Sequence, residues 1–226
     1  MRTVMLAFAV VAALNACGQS DKTAATSSSA QSDATASPAS PLAPSPTADV
    51  NTGTSSVDAW ADLNLDTFRT RYDELAKADG SDVIKRMSKT KDGIAVTLSD
   101  EQFQRGIAEL KKLNLANGKF KSKLSLVLST NSSGNVTKIA IMGDRSDPIN
   151  LMRFVGAVGL VNSMLNRGQD EKANTDFLAT LGLMRGDDDP TIGQLVSSFN
   201  RGGAFQCLSM PSSQTTIVGC AVERRS

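Results

Sequence analysis

Three cysteines and no histidine set the chemistry open to this chain. Without imidazole there is no Ser-His-Asp or Cys-His arrangement and no zinc site built on histidine. Serine-lysine dyads, paired carboxylates and aspartate-held metals remain. Ser88-Lys89-Thr90-Lys91 fits the S-x-x-K spacing of penicillin-binding enzymes. That mechanism needs the serine at a helix start facing its lysine, and here the motif lies on a strand running into a turn, without its companion motifs. Asp73-Glu74 and Asp100-Glu101 are sequence neighbours, which point apart on a helix, so helix-end charge accounts for them. Asp187, Asp188 and Asp189 stand in a row before Pro190, whereas calcium loops alternate their ligands and carry a glycine and a distal glutamate. A capped helix start explains this run, and Asp187 and Asp188 are kept as candidates for contact with a partner. No glycine-rich phosphate loop follows a strand. The expectation is no catalytic residue, no metal and no cofactor.

The thiols say more. Cys17 follows Met1-Arg2, one positive charge, and the apolar run Thr3 to Leu14, which is too short to span a bilayer as a permanent helix. With Leu14 three residues before the cysteine and Ala16 directly before it, this stretch resembles the lipobox of bacterial lipoproteins, although Asn15 replaces the usual small residue. The resemblance implies cleavage after residue 16 and diacylation of Cys17, with acylation of the new amino terminus. Each buried methylene adds about 0.8 kcal/mol, so two or three acyl chains make a stable anchor. In enteric-type lipoproteins an aspartate after the cysteine retains the protein at the inner membrane. Gly18 stands there, which implies the outer membrane. The glycosylation sequons at Asn131 and Asn135 mean little in a bacterium.

Removing Cys17 from the count leaves Cys207 and Cys220, an even pair that in an exported domain reads as a disulfide. A loop of that size is worth about 3 kcal/mol in the chain-entropy model.

Composition then divides the chain into residues 1–16, the signal; 17–56, a lipidated cysteine and tether; and 57–226, one domain. The tether is Ser, Thr, Ala and Pro, with Pro38, Pro41, Pro44 and Pro46, and it has almost no large apolar side chain with which to offset its ordering entropy. A flexible chain of this length spans roughly 35 Å. In residues 57–226, 22 basic residues balance 20 acidic ones. That points away from nucleic acid, and no basic run marks an acidic lipid surface.

The elements follow from periodicity. Leu65 to Ala78 places Phe68, Tyr72 and Leu75 at helical spacing. Val83 to Lys89 and Ile94 to Leu98 predict a hairpin, and Ser99 with Gln102 a capping box for a helix carrying Phe103, Ile107 and Leu110. Phe120 to Thr130 and Val136 to Met142 predict a second hairpin. Asp147-Pro148 caps and starts an apolar helix, Ile149 to Asn166, interrupted by Arg153 and Asn162. Its length is marginal for a membrane span, and a buried helix is expected. Gly156 and Gly159 share a side where another backbone can come close. Glu171 to Met184 predicts a further helix, and Asp189-Pro190 another through Phe199. Ala204 to Met210 and Thr215 to Val222 form the last hairpin, with Cys207 and Cys220 on its two arms. The fold class is α+β: an antiparallel sheet of about six strands from three hairpins, with helices packed mainly on one face.

Trp60 and Tyr72, the only residues of their types, are either interface anchors or residues that close the edge of the core. A domain on a long leash without catalytic equipment reads as a binding module. Signal, tether and compact domain together resemble the periplasmic lipoprotein immunity proteins that accompany antibacterial secretion-system effectors. That resemblance implies a partner, a toxin or effector hydrolase, whose active site is blocked. The alternatives are a scaffold of an envelope complex and a carrier of an apolar ligand.

Overall fold

The computed structural model describes residues 59–224. Cys17, the signal and the tether lie outside the described residues. Among the described residues four helices and seven strands follow in order: α1 (Leu65–Asp79), β1 (Ile84–Thr90), β2 (Gly93–Leu98), α2 (Glu101–Lys112), β3 (Ser125–Thr130), β4 (Val136–Asp144), α3 (Pro148–Leu165), α4 (Glu171–Thr180), β5 (Val196–Asn200), β6 (Gly203–Ser209) and β7 (Ile217–Glu223). All strands belong to one antiparallel sheet in the order β1-β2-β3-β4-β7-β6-β5. The class is α+β, as expected.

The seventh strand replaces a helix expected after Pro190. Ile192, Leu195, Val196 and Phe199 recur at helical spacing, but the segment begins with turns, and Gly193 takes φ +81. A helix cannot hold that conformation, and the Gly193 amide instead donates to Ser209 O at 2.9 Å. Val196 then pairs with Cys207 and gives β6 a partner on its free side. The helix expected to reach Met184 ends at Thr180, and the strand expected from Phe120 begins at Ser125.

Helix starts follow the caps where these are local. Asn64, Asp147 and Asp170 accept from the amides of Thr67, Asn150 and Ala173. The expected capping box at α2 is absent. Asp100 occupies the N-cap position with φ 63 and makes no capping bond. Asp82, in the loop before β1, accepts from the amides of Gln102 and Phe103 at 2.8 and 3.2 Å, and from Ser99 Oγ. The cap comes from across space, and Ser99 serves the capping carboxylate rather than the helix.

In-register pairing sorts the sheet into two faces. Val96, Leu126, Ile141, Cys220 and Cys207 are all buried and run in one row across five strands. Beside them run Leu128, Ile139, Val222 and Phe205, each fully buried. Helix α3 covers this face: Phe154 comes so close to Gly143 that a Cβ there would stand 2.8 Å away. Phe177 of α4 meets Phe205 edge-on, with centroids 4.9 Å apart. α3 is long and apolar enough to cross a membrane, yet half of it is buried inside the domain, where it serves as the core helix. Gly159 faces Leu178 and Asn174 of α4, so packing within the domain accounts for it, while Gly156 meets nothing.

Candidate binding surfaces

The residues singled out from the sequence take different places. Trp60 is 3 % exposed and donates from its indole to Gly202 O, which holds the domain's entry against the β5–β6 turn. Tyr72 is 1 % exposed and stacks on Phe68. Burial first, and neighbouring Asp82, Asp73 and Asp79 next, push its phenol well above the ordinary value, against the opposing field of Arg153. Both rings close the core and are not displayed on the surface. Cys207 and Cys220 form the expected disulfide between directly opposed residues of β6 and β7.

Asp187 and Asp188 are exposed. Asp187 pairs with Arg145 at 3.1 Å and accepts from the Ser212 amide, and these bonds, Ser212's foremost, hold its carboxyl below the usual range. Arg145 also donates to Ser209 Oγ, Met210 O and Arg185 O. One largely buried guanidinium therefore ties three loops at this end of the sheet. Asp189 accepts from the amide and hydroxyl of Thr191, which closes a turn instead of starting a helix. Among the described residues no group of three or more His, Cys, Asp or Glu is placed to hold a metal. Ser88 sits within β1 and Lys91 in the turn after it, the setting expected from the sequence.

Two broad surfaces remain. The first is a groove of about 840 Å³ floored by the open side of α3 and walled by α1 and α4. Met152, Val155, Gly156 and Leu160 make its apolar floor, Leu75 adds an apolar wall from α1, and Arg71, Glu74, Arg167 and Glu171 also line it. Gly156 keeps the floor low because no side chain rises from it.

The second is the outer face of the sheet. Ser88, Ala95, Val127, Ala140, Ala221 and Gln206 form its middle row, strand by strand. None of these residues is buried, and Met142 and Ile217 near one end are 48 % and 54 % exposed. Beside the row Lys138 pairs with Glu223 at 2.7 Å. Seven strands at their usual spacing make a surface about 30 Å by 20 Å, roughly 600 Å². That approaches the ~800 Å² one partner contributes to a standard interface.

Sequence reasoning missed two polar clusters. Arg153 sits between Asp82 and Asp100, its guanidinium 4.2 Å from the Phe103 centroid. Asn162, with no exposure, donates to Asn174 and accepts from Asn166 and Asn200, while Asn166 and Asn200 receive the Gly202 amide. The available signal was a charge and a carboxamide within an otherwise apolar helix. Both clusters join α3 to its neighbours, and only Arg153 Nη1 is left without a partner within them. No protein-family model, curated protein or solved structure matches the chain.

Proposed function

We propose that this protein is a lipoprotein of the outer membrane, anchored through Cys17, whose domain docks one protein partner and blocks it, in the manner of an immunity protein against an antibacterial effector hydrolase. The observation that carries the binding part is the outer face of the sheet: broad, small-residued at its centre, with no buried residue and with apolar side chains at one end. A sheet stapled across β6 and β7 offers such a face without reordering, which lowers the entropic cost of association. Small central side chains admit a partner's larger ones, and Met142 and Ile217 supply apolar anchors. The lipid anchor and periplasmic setting rest on the lipobox resemblance, and inhibition on the likeness of signal, tether and domain to lipoprotein immunity proteins. The groove over α3 favours a second reading, a carrier of an apolar ligand.

The test uses residues 57–226, purified oxidised, as bait against the cell's own envelope extract and against secreted toxins of closely related strains. The inhibitor reading expects one stoichiometric hydrolase whose activity falls on binding, and Met142→Lys with Ile217→Lys should abolish both. Recovery of several resident envelope proteins with no effect on a hydrolase would make the domain a scaffold component. Copurifying lipid, displaced by Gly156→Phe, would make it a carrier.

A further inference from the structure

The two most exposed large apolar side chains among those described are Leu113 and Leu115, at 65 % and 63 %. Both sit in the turn that ends α2. Asn114 takes the left-handed conformation at φ 56, the Leu115 amide donates to Leu110 O at 2.9 Å, and the Asn114 amide to Lys111 O at 3.0 Å. This is the Schellman arrangement, in which the residue after the left-handed one ordinarily packs back on the helix. Leu115 holds that position and stays outside. The turn is therefore fixed by its hydrogen bonds while its apolar side chains face water.

Lysines flank it in sequence. From Lys111 to Lys123 the chain carries five lysines and no carboxylate. Lys112 pairs with Glu109 and Lys123 with Asp144, while Lys111, Lys119 and Lys121 have no carboxylate within ion-pair distance among the described residues. The lysines are interleaved with Leu, Asn, Gly and Ser, so no unbroken basic run betrays them. The return toward β3 is anchored: Asn150 at the start of α3 donates to Lys121 O and accepts from the Lys123 amide. The lysines and the leucines thus belong to one loop tied down at both ends.

We propose that this loop docks on an anionic lipid surface, with Leu113 and Leu115 entering the acyl boundary and Lys111, Lys119 and Lys121 meeting headgroup phosphates. Exposed leucines and exposed lysines on one loop match such an interface, where each lysine near the surface and each buried methylene adds affinity. A nucleic-acid partner fits less well. The stretch has no arginine for bidentate phosphate contacts, and its single aromatic, Phe120, is partly buried rather than presented for stacking. The inference is independent of the partner reading, since it concerns a different surface.

The chain from residue 18 onward, which lacks Cys17 and so any acyl group, is mixed with vesicles of phosphatidylcholine alone or with added phosphatidylglycerol, and sedimented. Binding is expected only to the anionic vesicles and should fall as salt rises. Lys119→Gln with Lys121→Gln should weaken it about tenfold or more. Leu113→Ser with Leu115→Ser should weaken it comparably without shifting the thermal midpoint, because both side chains are already exposed. Leu115→Trp supplies a direct readout, a blue shift of emission on anionic vesicles against the constant background of buried Trp60. Absence of binding, equal binding of the serine pair, or capture by a soluble polyanion without vesicle binding would overturn the proposal.

Discussion

Arg153 of α3 and Asp82 of the loop before β1 form an ion pair at 3.0 Å, and each side chain is more than nine-tenths buried. Asp82 also receives the first amides of α2 and the hydroxyl of Ser99, so one carboxylate joins three segments distant in sequence. Asp82→Ala should cost about 3–5 kcal/mol, because it leaves a buried guanidinium, whose Nη1 already has no partner, with only the half-exposed Asp100, and it unpairs the Gln102 and Phe103 amides. Asp82→Asn keeps an acceptor for the amides and should cost about half as much. Urea unfolding gives both values, and hydrogen exchange in α2 should accelerate more in the alanine variant.

That pair also explains what sequence reading can and cannot reach. Asp147-Pro148, Asp170 and the opposed cysteines are local signals, and the structure uses each where it falls. Ser99 with Gln102 is an equally good local signal, but the amide it should cap is taken by Asp82, about 20 residues upstream. Ile192 to Phe199 carries a helical period, which puts Val196 and Phe199 on opposite faces of a strand, and the pairing of this stretch with β6 overrides it. The outer face was hidden for another reason. Ala95, Ala140 and Ala221 mean nothing singly and become one row only when strand order and register are known.

Asp144 at the end of β4 makes the fold acid-sensitive. Partial burial opposes its ionisation, but the Ser146 amide at 2.7 Å, Lys123 Nζ at 3.0 Å and Thr216 Oγ1 at 2.9 Å outweigh it and hold the carboxyl well below the usual range. A depressed folded-state value adds stability above the unfolded value of about 3.9, and that stability is lost as pH falls through the folded one. Asp144→Asn should therefore be less stable than wild type at neutral pH. The gap should close as urea unfolding is repeated at progressively lower pH, and a constant gap would refute the argument.

Tyr72 sets the alkaline limit. Its phenol is raised by burial, so folding is favoured below the unfolded value of about 10 and loses that contribution as pH rises above it. Because Tyr72 is the only tyrosine, phenolate absorbance reports it alone. The native protein should show no titration near pH 10. Absorbance should appear only together with loss of the far-ultraviolet dichroism, whereas the urea-unfolded chain should titrate normally.

The disulfide is a local staple. Cys207 and Cys220 are buried and separated by 13 residues, on strands that the sheet already pairs. Loop closure of that length predicts a loss of about 3 kcal/mol on replacing both by alanine. In a domain of this size that lowers the thermal midpoint by roughly 6–12 °C. The fold should survive, since β6 keeps β5 and β7 as neighbours, and dichroism of the variant at low temperature should match wild type.

Asn162 should be the costliest carboxamide to remove. It lies at the centre of its cluster, donating to Asn174 at 2.7 Å and accepting from Asn166 at 2.8 Å and from Asn200 at 2.6 Å. Asn162→Ala empties a site with no exposure and takes one bond from each of three neighbours, of which Asn166 keeps the Asn162 carbonyl. At about 1–3 kcal/mol for each buried group left unsatisfied, the loss should exceed 3 kcal/mol. Asn174 accepts one bond, from the Asn162 amide, and lies partly exposed, where water can replace what is removed, so Asn174→Ala should cost about 1 kcal/mol. The double variant should fall short of the sum, because the Asn162–Asn174 bond is counted in both single losses. Full additivity in a double-mutant cycle by urea unfolding would show that the two side chains act independently and that the cluster does not couple α3 to α4.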